Sequence, residues 1–149
     1  MTKSETVEAI KKAREAHQRQ MQKIESAMNG EEIDNPTSLN KTECTFGKWL
    51  YDDKNHMREI IGSQFFTTLD MEHEKWHKEY AKIYNILFNE DKKKQGLFSR
   101  LMGKKSIDPL ELDKVKLYYV ELKETTSRLL KAIASSERRV SALPESKFR

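Results

Sequence analysis

The sequence predicts an all-α protein, an antiparallel four-helix bundle with an additional short helix that carries a cysteine motif. Its 149 residues include five glycines and three prolines, too few turn residues for a sandwich or a barrel. Charged residues make up 35% and hydrophobic residues 36%, a balance typical of amphipathic helices with solvated outer faces. Apolar residues also recur in steps of three and four. We expect a single domain over residues 1–143 and a flexible tail over 144–149.

The first helix is predicted over residues 4–29, with Gly30 as its stop signal. Its inward positions are Val7, Ile10, Arg14, His17, Met21, Ile24 and Met28. His17 therefore lies on a bundle seam, where an apolar residue is expected. Residues 31–43 follow as a loop.

A short helix is predicted over residues 46–51, so that Cys44 lies just before its first turn. The third helix starts near residue 56 or 57 and extends to about 89, with a bend or break at Gly62-Ser63. Its seam is formed by Phe66, Leu69, His73, Trp76, Tyr80, Ile83 and Leu87. His77 lies one turn beyond His73 on the same face. This helix therefore presents two histidines inward.

Asp108-Pro109 opens a last helix that extends to residue 142. The connector before it, residues 91–108, carries six basic and two acidic residues, which accounts for the whole net charge of +4. The remainder is neutral, so no basic helical face is available for a nucleic acid. No apolar run reaches the roughly 20 residues of a membrane span, and residues 1–12 contain no apolar signal core. We expect a cytoplasmic protein without stable membrane insertion.

The inward histidines and the single cysteine together predict a metal site. The spacing of His73 and His77 places both rings on one side of a helix, where they can share a metal. With His17 and Cys44 they supply three imidazoles and one thiolate, which suits one tetrahedral zinc per chain. Copper(I) and nickel are chemically possible alternatives.

Each of these residues also has a plainer interpretation. A single inward histidine is ordinarily a core residue with a hydrogen-bond partner, and Cys44 could be a small buried hydrophobe. The helix start after Cys44 favours a thiolate instead. Phe46 and Trp49 are interpreted as core anchors and Gly47 as a site of close backbone approach. His56, beside two aspartates, is interpreted as solvated and is left out of the site.

The motifs resemble those of the chemoreceptor zinc-binding (CZB) domain of bacteria. That family has a histidine on its first helix, a Cys-x-apolar-Gly-x-aromatic motif and a His-x-x-x-His pair. The matching residues here are His17, then Cys44-Thr45-Phe46-Gly47-Lys48-Trp49, and then His73-Glu74-Lys75-Trp76-His77. By these motifs the resemblance spans residues 17–77.

The resemblance implies a regulatory module and not an enzyme. It implies a zinc site of three histidines and one cysteine, a homodimer, and a role in sensing zinc or hypochlorous acid through the Cys44 thiolate, which would be redox-reactive. Members are commonly attached to chemoreceptors or diguanylate cyclases. We expect a stand-alone member that modulates chemotaxis or cyclic-di-GMP signalling through such a partner.

Two alternatives from other functional classes stay open. The sequence His73-Glu74-x-x-His77 matches the pattern of zinc metalloproteases, in which the glutamate is the general base, and would indicate a small zinc hydrolase. A metal-free helical interaction protein is the other alternative. In that case the segment from Gly96 to Lys105 would be an amphipathic basic element for a partner or a membrane surface.

Overall fold

The prediction of an all-α helical bundle is confirmed. The computed structural model describes residues 1–33, 36–88 and 108–148, and these contain helices and no strand. The helices are α1 (Lys3–Met28), α2 (Thr45–Leu50), α3 (Met57–Ile61), α4 (Ser63–Leu87) and α5 (Pro109–Ala142), with 3-10 turns at Asp53–Asn55 and Glu145–Lys147. The basic connector is outside the described residues up to position 107.

The three long helices pack with α5 antiparallel to both of the others. Arg14 near the start of α1 pairs with Glu137 near the end of α5, whereas Glu25 near the end of α1 accepts a hydrogen bond from Tyr119. On α4, Phe65 near the start lies against Arg139 near the end of α5, whereas Lys82 near the end lies against Tyr118 near the start of α5. Between them, the indole Nε1 of Trp76 donates to Thr126 Oγ1 at 2.9 Å. Consequently α1 and α4 are parallel, and they approach each other at the level of the inward histidines.

Local sequence explains where the helices begin and end. The Thr2 hydroxyl accepts from the backbone N–H of Glu5 at 3.0 Å, and the Glu5 carboxylate accepts from the Thr2 N–H at 2.7 Å, a capping box at the start of α1. Gly62 has φ +96°, a conformation that ends α3 and separates it from α4. The predicted third helix is therefore two helices, broken at Gly62-Ser63.

The core lies between the three long helices and below α2 and α3. Its largest fully buried side chains include Trp76 and Tyr80 from α4 and Leu129 from α5. Within the segment predicted as a tail, Phe148 is buried. Across the described residues, no helix combines the length and the apolar character that crossing a membrane requires.

Candidate metal centre

Three buried histidines converge between α1 and α4. His17 lies on α1 and His73 and His77 lie on α4, and each exposes less than 5% of its surface. One ring nitrogen from each histidine lies within 4.8 Å of those of the other two. The heptad-like spacing of both helices points these rings into the bundle, so the structure brings together the histidines that the sequence singled out.

Cys44 joins this cluster from the start of α2. It is the N-cap residue, and its Sγ accepts the backbone N–H of Gly47 at 3.2 Å. The sulfur also lies 3.4 Å from His73 Nε2 and 3.4 Å from the carbonyl oxygen of Lys41. The cysteine is 5% exposed, so the sulfur faces the histidines rather than solvent.

Two of the three histidines form a hydrogen bond from Nδ1 to a backbone carbonyl. His17 Nδ1 lies 2.8 Å from the carbonyl oxygen of Ala13, and His77 Nδ1 lies 3.0 Å from that of Leu39. A carbonyl can only accept, so each Nδ1 carries the hydrogen. In a neutral ring the remaining nitrogen, Nε2, then has a free lone pair for a metal.

His73 also carries its hydrogen on Nδ1, and its partner there is the side chain of Tyr51. His73 Nδ1 lies 3.2 Å from the hydroxyl of Tyr51, which lies 2.6 Å from Asp70 Oδ1. Burial and the Asp70 carboxylate raise the pKa of the Tyr51 hydroxyl, which keeps its single hydrogen. That hydrogen is donated to Asp70, so the tyrosine oxygen accepts from His73 Nδ1.

Two nitrogen lone pairs consequently face each other across 3.0 Å, the distance between Nε2 of His73 and Nε2 of His77. Two acceptors at this distance repel unless a hydrogen or a cation lies between them. Ideal tetrahedral zinc places ligand nitrogens about 3.3 Å apart and nitrogen about 3.6 Å from sulfur. The measured spacings, 3.0 Å for the nitrogens and 3.4 Å from His73 Nε2 to Cys44 Sγ, are close to both values.

Burial keeps all three imidazoles neutral at pH 7. It lowers the pKa of His17 and of His77 to about 4. The pKa of His73 falls to about 2, through burial first and then the adjacent His17 and His77 rings. A neutral imidazole is the form that binds a metal, so no proton has to leave these rings before binding.

The position of Cys44 before a helix predicted a thiolate, but the surroundings of the sulfur in the structure favour the neutral thiol. Burial raises the pKa of its thiol, and the backbone N–H groups of Gly47 and Phe46 oppose this only in part. Desolvation of a thiolate outweighs the short helix that follows it. The thiolate form at this site therefore depends on a neighbouring cation.

The aromatic residues of the motifs surround the site. Phe46 is buried, with its ring centroid 5.0 Å from that of His73, and half-buried Trp49 stacks on it. Trp76 is fully buried and lies edge-on to His17 at 4.8 Å between centroids. These rings exclude water from the donor atoms.

Several residues that support the site were not predicted from the sequence. Tyr51, Asp70 and Lys41 form a connected group, since Lys41 Nζ lies 2.8 Å from Asp70 Oδ1. Gln20 is buried one turn after His17, and its Oε1 accepts the backbone N–H of Thr37 at 2.9 Å. The sequence signal for Gln20 was its place on the inward face of α1. Tyr51, Asp70 and Lys41 carry no such signal.

Glu74, the general base of the hydrolase alternative, and His56, which the sequence left out of the site, are both on the surface. Glu74 is exposed, and its carboxylate lies 3.7 Å from Lys41 Nζ. A general base would have to face the Nε2 atoms of His73 and His77. His56 is exposed at the junction between the first 3-10 turn and α3.

The fold and the donor set define a helical metal-binding domain whose three imidazole nitrogens and one sulfur fit zinc. Residues 17–84 match the family model of the chemoreceptor zinc-binding domain, CZB, and this span includes all four donor residues. This match supports a domain of the CZB family over residues 17–84. Neither the curated proteins nor the solved structures that were compared with the chain gave a match.

Proposed function

We propose that this protein is a zinc-binding sensor in which Cys44 is the oxidant-reactive group. The observation that carries this proposal is the cluster of three neutral histidines, each with Nδ1 engaged and Nε2 free, with the Cys44 sulfur 3.4 Å from His73 Nε2. A bound zinc would supply the positive charge that keeps this buried sulfur a thiolate. His17, His73, His77 and Cys44 would hold the ion, with one zinc per chain.

Hypochlorous acid is the oxidant proposed. The Cys44 thiolate attacks the chlorine of HOCl, so that an S–Cl bond forms and the O–Cl bond breaks with release of hydroxide. Water then displaces chloride and leaves the sulfenic acid and a proton. Sulfur loses two electrons, which are recovered in the chloride ion. A sulfenic acid is a poorer ligand than a thiolate, so the oxidised Cys44 would leave the site.

Release of Cys44 would move the segment around it. The sulfur caps α2 through the Gly47 N–H and contacts the Lys41 carbonyl, so residues 41–47 depend on its position. The added oxygen needs space that the 5% exposed cysteine does not have. His17 and the pair His73 and His77 link α1 to α4, so changed ligation would also act on the packing of these helices.

A signalling protein of the chemoreceptor or diguanylate cyclase class would then recognise the conformation of residues 40–51. This protein would act as a cytoplasmic homodimer. The family of residues 17–84 supports this part of the proposal. Sedimentation of the purified protein tests the dimer: a monomer at all concentrations from about 1 to 100 μM would contradict it.

The first experiment measures zinc per chain before and after one equivalent of hypochlorous acid. We expect one zinc per chain, lost or loosened together with the free Cys44 thiol. Cys44→Ser should not respond to the oxidant. Met71→Leu is a matched control that removes an exposed oxidisable methionine and should respond like the unaltered protein. Absence of zinc from the purified protein, or an equal response of Cys44→Ser, contradicts the proposal.

A further inference from the structure

We infer that Tyr51, Asp70 and Lys41 form a positioning network that selects the metal-binding tautomer of His73 and holds the Cys44 segment against α4. This inference deepens the proposed function and rests on it, because it concerns the site that would bind zinc. The three residues lie in separate parts of the chain and meet at one carboxylate oxygen, Asp70 Oδ1.

The direction of each hydrogen bond in the network follows from what its groups can donate. Lys41 Nζ and the Tyr51 hydroxyl both approach Asp70 Oδ1, at 2.8 Å and 2.6 Å. An ionised carboxylate can only accept, and Tyr51 has one hydrogen, which it gives to Asp70. The remaining contact of the tyrosine oxygen, 3.2 Å from His73 Nδ1, is therefore accepted from the imidazole N–H.

This contact decides which nitrogen of His73 faces the site. With hydrogen on Nδ1, Nε2 has its lone pair directed toward His77 and Cys44. Without the Tyr51 oxygen as acceptor, the ring can take the other tautomer, in which a hydrogen on Nε2 points at the position of the metal. Outer hydrogen bonds of this kind typically change metal affinity by about 10- to 100-fold.

The network also joins both ends of the Cys44 segment to the helix that carries His73. Lys41 precedes Cys44 by three residues, whereas Tyr51 follows it at the C-cap of α2. Lys41 Nζ lies 5.2 Å from the centroid of the Tyr51 ring, so the two ends of the segment are in contact with each other as well. Asp70 lies one turn before His73 on α4, which aligns the segment with the ligand pair.

Tyr51→Phe is the most direct test, because it removes the hydroxyl and keeps the ring that packs against Phe66 and His73. We expect zinc affinity, measured by chelator competition, to fall by about 10- to 100-fold. We also expect the nitrogen NMR shifts of His73 in the zinc-free protein to move from the Nδ1–H tautomer toward a mixture. Asp70→Asn should change both quantities in the same direction.

Tyr119→Phe is the matched control. It removes a tyrosine hydroxyl that also donates to a carboxylate, that of Glu25, away from the site. Zinc affinity and the His73 shifts should stay as in the unaltered protein. If Tyr51→Phe leaves either quantity unchanged, the network does not position His73 and the inference is overturned. If the unaltered protein binds no zinc, the proposed function fails, and the tautomer in the zinc-free protein still tests this inference.

Discussion

Gly47 and Lys41 are in such close contact that no side chain fits between them. A Cβ built on Gly47 would lie 1.5 Å from the carbonyl oxygen of Lys41 and 2.7 Å from its carbonyl carbon. The same carbonyl oxygen lies 3.4 Å from Cys44 Sγ. This close approach of two backbone segments is what the sequence predicted at Gly47, and it allows the loop to fold back onto α2 beside the sulfur.

Replacement of Gly47 by alanine should therefore displace the loop that contains Lys41, because the loop has no space for the added Cβ. We expect Gly47→Ala to lower the free energy of unfolding by about 2 kcal/mol, an ordinary cost of overpacking, and to weaken zinc binding because Lys41 and Cys44 must separate. Urea unfolding and chelator competition measure the two effects. Gly30→Ala is the control: its φ of +85° adds backbone strain of about 1 kcal/mol, but the added Cβ meets no atom. Unchanged zinc affinity in Gly47→Ala would contradict this interpretation.

The donor set makes a prediction that separates ligands from other histidines. Alanine at His17, His73 or His77 should each lower zinc affinity by more than about 100-fold, beyond the usual effect of outer hydrogen bonds. His56→Asn should leave it unchanged, because asparagine tolerates the positive φ of 51° at this exposed position. Isothermal titration with zinc measures all four variants. A histidine whose replacement has no effect is not a ligand, and the four-donor site would then be wrong.

The donor residues could be predicted because their spacing matches helical periodicity or a short motif. His17, His73 and His77 occupy inward positions of helices whose periodicity is regular, and Cys44 and Gly47 lie in a short motif. Tyr51, Asp70 and Lys41 could not be predicted as a group. Tyrosine, aspartate and lysine are all common on protein surfaces. Only the packing of the loop and α2 against α4 brings these three residues together.

The buried hydrogen bond from Trp76 to Thr126 should contribute to the stability of the bundle. Trp76→Phe removes the Nε1 donor and leaves a small cavity beside His17, so we expect the free energy of unfolding to fall by about 2 kcal/mol. In Trp76→Phe with Thr126→Val the two losses should be less than additive, because both substitutions remove the same bond, whereas the donation from the Thr126 hydroxyl to the Leu122 carbonyl at 2.6 Å is lost only with Thr126. A double-mutant cycle in urea measures the coupling. Additive effects of the two substitutions would show that the bond contributes nothing.

The depressed histidine pKa values predict how the zinc-free protein responds to acid. The ordinary histidine pKa is 6.5, whereas burial holds that of His17 and His77 at about 4 and that of His73 at about 2. Below pH 6.5 the unfolded chain therefore binds protons that the folded chain does not. The stability from these neutral rings is complete above pH 6.5 and is lost as the pH falls, down to about 4 for His17 and His77 and to about 2 for His73.

With three such groups the slope should approach ~4 kcal/mol per pH unit, since each contributes at most ~1.4. Urea unfolding in the presence of a chelator, from pH 8 to pH 5, measures it. His77→Gln should give a shallower slope, since one buried titrating ring is gone while a polar side chain remains. A free energy of unfolding that does not change between pH 7 and pH 5 would mean that the rings are protonated or solvated in the folded protein, and the neutral three-histidine cluster would be wrong.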